Sequence, residues 1–325
     1  MRIFQGFGVG GEWGGAVLMA VEHAPANRRG FYGSWPQMGV PAGLVLANLV
    51  FAYFSGSRGE ADFLGGAWRV PFLLSAILVV IGIFIRMQIS EPPAFAKIKE
   101  TRTEARMPVL DAVRDHPKEV AVAFGARFAE NGIFYVYTVF VLAYATQRLQ
   151  VPQSTVLTGV LIAAVVELFA MPTFGWLSDR VGRRPVYLFG AGLSLVWAFP
   201  FFWLVDTRQT ILIWLGILGL AIGHSGMYGP QASFFAELFG TRVRYSGASL
   251  GYQLSSVFAG GLSPIIATAL LATYGSFVPI AAYMMGMAVL TLVSVWWATE
   301  TMRQDIVGEP RLRQGEQGFK AGARL

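Results

Sequence analysis

The chain has 325 residues, of which 54% are hydrophobic and only 14% charged, and it contains no cysteine. An ordinary soluble domain is about a quarter charged, so a mean hydropathy of +0.53 excludes a water-soluble globular fold, and disulfide or thiol chemistry is excluded with it. The formal net charge of +6 suggests an acidic partner such as nucleic acid only until the charges are placed along the chain.

The apolar residues fall into nine blocks, at 3–20, 35–54, 70–89, 120–144, 155–177, 186–205, 211–235, 249–273 and 277–298. Most are about twenty residues long, enough to cross a hydrocarbon core. Apolar side chains run all round most of them, which predicts buried helices rather than the alternating strands of a barrel. The first block lacks a charged leader and a cleavage site, so it is read as a span and not as a signal peptide. The expected fold class is an all-α, multi-pass membrane protein.

Alternate crossings put five segments on one side of the bilayer, at 22–34, 86–118, 178–184, 238–245 and from 299 onward. Together they hold 19 of the 25 Lys and Arg, against 4 in the opposite loops. That bias orients the richer side, and with it the C-terminus, toward the cytoplasm. The basic balance is topology, and no nucleic-acid partner is expected. No Gly-x-x-x-x-Gly-Lys-Ser/Thr loop is present, so no nucleotide is expected either. Gly6, Gly8 and Gly10 follow no strand, which removes a dinucleotide reading. Neither a cofactor nor a metal is predicted.

An internal repeat organises the blocks. Gly8, Gly11, Gly14, Glu22, Arg29 and Ser34 recur 215 positions later as Gly223, Gly226, Gly229, Glu237, Arg244 and Ser249, with Trp13 opposite Tyr228. A period this long indicates a duplicated domain. The second copy lies deep in its half and the first near the start, so about a hundred residues are expected to be absent in front if both halves carry matching spans. The expected division is a three-span remnant of an N-terminal six-helix half (1–90), a linker (91–118) opened by Pro92-Pro93, a C-terminal six-helix half (119–299) and a tail (300–325). Nine of a probable twelve helices would then be present.

Three stretches carry a family resemblance. Gly175-Trp176-Leu177-Ser178-Asp179-Arg180-Val181-Gly182-Arg183-Arg184 resembles the signature loop of the major facilitator superfamily. Arg2 with Gly6, Gly8 and Gly10 is similar to that family's fourth-helix motif. Gly10-Gly11-Glu12-Trp13-Gly14-Gly15-Ala16, followed by Glu22-His23-Ala24-Pro25 and Arg28-Arg29-Gly30, resembles the metabolite:proton symporters, whose members carry shikimate, 2-oxoglutarate, citrate, proline or betaine. Ala126-Arg127-Phe128-Ala129-Glu130-Asn131-Gly132 looks closest to the shikimate type. The resemblance implies a carrier, not an enzyme, that takes a small organic acid together with protons by alternating access. A zwitterion or osmolyte carrier, and a transport-inactive fragment, stay open as alternatives.

Candidate site residues follow from charge inside the membrane, where an ionisable group is costly and usually faces a cavity. Arg127 and Glu130 lie three apart on one helical face, with Asn131 beside them and Tyr135 and Tyr137 following. An arginine fork suits a carboxylate, so Arg127, Glu130, Asn131 and Tyr135, with Tyr228 and Gln231, are expected to bind substrate; a self-satisfied Arg127–Glu130 pair is the other reading. Glu12 is either a protonatable site or a packing residue among glycines. Glu167 is an isolated acid, and His224 is either a relay or a structural histidine. These three are the candidates for proton coupling, joined by Arg2 on the strength of the resemblance. Gating is expected from Gly175, Asp179, Arg180, Gly182, Arg183 and Arg184, and from a symmetric latch in which Glu22 faces Arg29 and Glu237 faces Arg244 across short turns.

Overall fold

The computed structural model describes residues 2–58, 62–88, 108–239, 243–302 and 304. Most of the linker and of the tail, and the side chain of Arg2, lie outside the described residues. Helices α1 (Arg2–Glu22), α2 (Arg29–Arg58) and α3 (Arg69–Gln88) come first. A short amphipathic helix α4 (Pro108–Asp115) precedes α5, a span from Pro117 to Arg148. Then follow α6 (Gln153–Val181), α7 (Arg183–Asp206), α8 (Thr210–Leu238), α9 (Arg244–Ser255), α10 (Ser263–Tyr274) and α11 (Val278–Trp297).

Among the described residues eight helical stretches are long and apolar enough to cross a membrane. The first block forms a 21-residue helix as well, although Glu12 and six glycines dilute its apolarity. The helices outrun the apolar blocks: α8 begins at Thr210 and ends at Leu238, and α2 continues to Arg58. Backbone hydrogen bonding persists into polar end turns that composition alone does not count.

The spans that hold α5 and α9 are not uniform α-helix. The second half of α5 widens to π-helical turns over Val136–Phe140 and Tyr144–Arg148, and α9 runs through another over Ser256–Gly261 before Pro264 opens α10. Proline supplies no backbone donor, so the helix restarts there, and such wide turns often mark functional positions. This one packs against α5 and brings the Ser256 hydroxyl onto Nε of Arg127 (3.1 Å).

The core lies among α5 to α9 and α11, while α2 and α3 leave most of their apolar surface outside it. Helix α2 packs along α6 and α8, and α1 against α2, α8 and α9. The tightest crossing joins Gly30 to Gly175: a Cβ on Gly175 would stand 2.5 Å from the Gly30 carbonyl oxygen. Only hydrogen fits between the two backbones.

That close approach brings Asp179 to the start of α2. Its Oδ1 accepts from Gly30 N (2.7 Å) and its Oδ2 from Phe31 N (2.9 Å). These first-turn donors have no partner within their own helix, and a carboxylate at that end also meets the positive end of the helix dipole. Arg183 holds Asp179 through Nη1 (2.7 Å) and forks Glu237 through Nε (3.1 Å) and Nη2 (3.0 Å). Gly182, at φ +108°, makes the turn between these two helices. The chain after α11 joins in: Glu300 accepts from Arg183 N and Arg184 N, Thr301 donates to Glu237, and Arg29 donates to the Gln304 carbonyl.

The expected latch is therefore crossed rather than symmetric. Among the described residues the close ion pairs are Glu22 with Arg244 (3.0 Å) and Glu237 with Arg183 (3.0 Å). The end of α1 lies against α9, so the cation it meets is the one that opens α9. Glu237 takes Arg183 because a bidentate fork satisfies both carboxylate oxygens. The side chains of Arg180 and Arg184 turn away from this junction. Arg180 lies over the Trp176 ring (3.9 Å) on its own helix, and Arg184 donates to the Val295 and Trp296 carbonyls that end α11.

Two outcomes follow from these contacts. Gly175→Val should lower the thermal unfolding midpoint in detergent by on the order of 5 °C through overpacking, whereas Gly192→Val, with open space around its Cβ position, should leave it unchanged. Asp179→Asn should loosen the junction: because the chain has no cysteine, Ser34→Cys is a clean reporter, and its labelling by a hydrophilic thiol reagent should accelerate about tenfold as one charge-assisted contact weakens.

Candidate functional site

A cavity of about 470 Å³ opens between α1 and α2 on one side and α5, α8 and α9 on the other. Glu12, Trp13, Gln37, Arg127, Glu130, Asn131, Phe134, Tyr135, His224, Tyr228, Tyr252, Gln253 and Ser256 line it. Aromatic faces and a few converging polar groups are the usual lining of a small-molecule site.

Arg127 and Glu130 share a face of α5, as their spacing predicts, and pair directly at 2.7 Å. The pair continues into a chain. Oε1 of Glu130 stands 3.3 Å from Nε2 of His224, Nδ1 of His224 lies 2.7 Å from Oε1 of Glu167, and the Tyr137 hydroxyl donates to that same oxygen (2.7 Å). Helices α5, α6 and α8 each contribute, and Arg127, Glu130, Glu167 and His224 are all buried. Two carboxylates and one guanidinium leave one negative charge over, which a single further proton on the imidazole or a carboxylate neutralises. Burial of ions in such surroundings is tolerated only with this kind of compensation.

Gln231 is placed differently from the sequence expectation. It is fully buried behind the pair, donating to Glu130 (3.0 Å) and to the Tyr187 hydroxyl (2.7 Å), while its Oε1 accepts from Arg127 Nη1 (3.1 Å). It orients the charged groups and does not form cavity wall. Glu167 is not isolated but sits one layer behind the wall, and His224 is not alone but bridges two carboxylates. Glu12 reaches the cavity from α1. Asn131, Tyr135 and Tyr228 line it, and the Tyr228 hydroxyl lies 3.2 Å from that of Tyr252.

Trp13, Gln37, Tyr187 and Ser256 are among the contributors that pattern assigned no role. Arg127 Cζ stands 3.2 Å from the centre of the Tyr252 ring, whose other face stacks on Trp13 at 3.7 Å and 18°. Trp13 in turn donates from Nε1 to Gln37 (2.9 Å). The repeat carries a signal for this, since its 215-residue offset maps Trp13 onto Tyr228 and Gln37 onto Tyr252. With Nε on Ser256 and Nη1 on Glu130 and Gln231, Nη2 of Arg127 makes no hydrogen bond among the described residues. That edge is the one a carboxylate ligand can take.

Comparison with known proteins agrees with this architecture. The sequence profile of the Major Facilitator Superfamily matches residues 1–260. The shikimate transporter of Escherichia coli (strain K12) is 34% identical over 307 residues, covering 93% of this chain and 70% of that protein. The proline/betaine transporter of the same organism is 32% identical over 316 residues, covering 94% and 63%. In fold the chain is similar to the proton:xylose symporter XylE bound to 6-bromo-6-deoxy-D-glucose, with a TM-score of 0.71 at 16% identity over 90% of this chain and 69% of that one. A helical bundle with a polar cavity between its helices, matched by this profile and by transporters over most of its length, is an integral membrane protein of the major facilitator superfamily.

Proposed function

We propose that the chain carries a small organic acid together with a proton across the cytoplasmic membrane of a bacterium, by alternating access. Helices α1–α3 belong to one moving half and α5–α11 to the other, joined by the linker that holds α4. The end of the bundle closed by Asp179, Arg183 and Glu237 is the cytoplasmic one, because it carries the excess of Lys and Arg. One observation carries the reading: the guanidinium lining the cavity is already neutralised by Glu130, and Glu130 touches a second proton-carrying group, His224.

That arrangement couples two ligands by charge balance. With Glu130 ionised, Arg127 has its counter-ion and an incoming carboxylate would leave a surplus negative charge. A proton on Glu130 removes the counter-charge held at Nη1, and the anion becomes the new counter-ion at Nη2. The empty pair and the doubly loaded site are then equally compensated, and either can pass through a closed, dry intermediate. A site holding only the proton or only the anion would bury an unpaired charge, at a cost of about 3–5 kcal/mol. The two moves are thereby tied together. His224, at the cavity wall, and Glu167, one layer deeper, hold and return the proton.

A second reading has its own observation. Trp13, Phe134, Tyr228 and Tyr252 surround the same cavity with Glu12 and Glu130, and aromatic faces beside carboxylates suit a quaternary ammonium. A zwitterion such as betaine would use both ends of the site. In liposomes that are alkaline inside, uptake of labelled shikimate suppressed by excess shikimate and not by betaine supports the acid; the reverse pattern selects the zwitterion, and no gradient-driven uptake of either overturns both.

Two variants test the charge exchange. Arg127→Gln should reduce anion uptake at least about a hundredfold, the equivalent of some 3 kcal/mol, and uptake equal to the unmodified chain would remove Arg127 from the site. Glu130→Gln, a permanently neutral stand-in, should keep exchange of labelled for unlabelled substrate while losing accumulation driven by the proton gradient. Gradient-driven accumulation by that variant would show that the proton binds elsewhere.

A further inference from the structure

The transport reading needs Arg127 to grip the anion in one state and release it in another, yet every charged contact of Arg127 comes from its own side of the cavity. Two uncharged residues on the other side reach the groups that hold it. Trp13, on α1, backs the Tyr252 ring that carries the guanidinium on its opposite face. Gln37, on α2, fixes the Trp13 indole through a 2.9 Å bond and reaches across to Oε1 of Gln231 (3.5 Å), the same oxygen that accepts from Arg127 Nη1.

These contacts close a ring that crosses the interface twice. From Arg127 it passes to Tyr252, crosses to Trp13, continues to Gln37, crosses back to Gln231 and returns to Arg127. The repeat gives the ring internal symmetry. Trp13 and Gln37 occupy the positions that Tyr228 and Tyr252 occupy 215 residues later. Each pair is bonded within its own copy, at 2.9 Å and 3.2 Å. Each pair also meets the other across the interface, by the Trp13–Tyr252 stack and by a 3.4 Å contact from Gln37 Nε2 to the Tyr228 carbonyl. Four positions that correspond through the duplication thus interlock directly beside the cavity.

From this we infer that Trp13 and Gln37 are positioning residues for Arg127, holding its guanidinium in the anion-binding orientation only while α1 and α2 lie against α8 and α9. The inference rests on the transport reading and adds the link between grip and closure. The contacts of Gln37 to Gln231 and Tyr228 are long, so a small displacement of α2 breaks them first. Loss of the Trp13 stack then frees the Tyr252 ring and, with it, the plane on which the guanidinium lies. A ligand shifts a conformational equilibrium only through contacts that differ between the two states, and this ring supplies such a difference without adding a charge.

The experiment pairs transport with a chemical probe that does not need it. Trp13→Ala should raise the half-saturating concentration for exchange of labelled shikimate about tenfold, the loss expected for one aromatic stack and its dependent cation contact, with the maximal exchange rate and the pH profile kept. Trp13→Phe, which keeps a stacking face, should recover most of that affinity, and Gln37→Leu should reproduce the loss from the other branch of the ring. In detergent, phenylglyoxal modification of Arg127, followed by peptide mass spectrometry, should quicken several-fold in Trp13→Ala and Gln37→Leu and little in Trp13→Phe. A fall in maximal rate with unchanged half-saturation, or Trp13→Phe behaving as Trp13→Ala, would overturn the positioning role. If the unmodified chain moves no shikimate, the substrate reading fails, and Arg127 reactivity still decides the positioning role: unchanged reactivity in both Trp13→Ala and Gln37→Leu would sink it.

Discussion

Among the described residues, most buried charges between these helices meet a charge on another residue, usually on a different helix, and that constraint organises the molecule. A dry interior makes an unpaired ion costly by several kcal/mol, so these charged side chains need partners where the helices meet. They form two groups. The deeper one, Arg127 with Glu130, His224 and Glu167, lies wholly within α5, α6 and α8. The other, at the end of the bundle, ties α1 and α2 to α6, α7 and α9 through Asp179, Glu22 and Arg244. On the proposed transport cycle, the first group stays whole when the two sets of helices part, and the second opens.

Backbone geometry sets how close these groups come. The Gly30–Gly175 crossing lets α2 and α6 touch, and without that approach Asp179 would not reach the first-turn donors of α2. The π-helical turn at Ser256–Gly261 carries Ser256 to Arg127, so a local departure from α-helix becomes part of the wall around the cavity. The segment after α11 adds a further tie, with Thr301 on Glu237 and the Gln304 carbonyl on Arg29. Charge pairing at the end of the bundle therefore involves the last described residues as much as the signature loop.

Individual residues show how far pattern reasoning reaches. Arg127 and Glu130 were legible because three residues along a helix is a contact distance, and spacing alone implies their pair. His224 and Glu167 carry no such signal. They lie 57 residues apart, and each looks solitary in its own apolar span until α6 and α8 are set side by side. Gln231 shows the opposite error: a polar residue in a glycine-rich span resembles cavity wall, yet it faces the charged pair from behind. The close pairs at the end of the bundle differ from the expected latch for a similar reason. Proximity in sequence favoured Glu22 with Arg29 and Glu237 with Arg244, while neighbouring helix ends bring Arg244 to Glu22 and Arg183 to Glu237.

What this sequence determined by itself is its solvent, its helices and an internal pattern repeated 215 residues apart. Apolar length, the sided distribution of Lys and Arg, and a 215-residue offset are properties of a linear chain, because hydrophobic burial and bilayer thickness act on contiguous segments. The tertiary structure alone decided which buried charge meets which, that two carboxylates share one imidazole, and that Trp13 and Gln37 stand across from Arg127. Partner choice among buried polar groups depends on distances of about 3 Å between residues far apart in the chain. No linear pattern encodes those distances until the helices have packed.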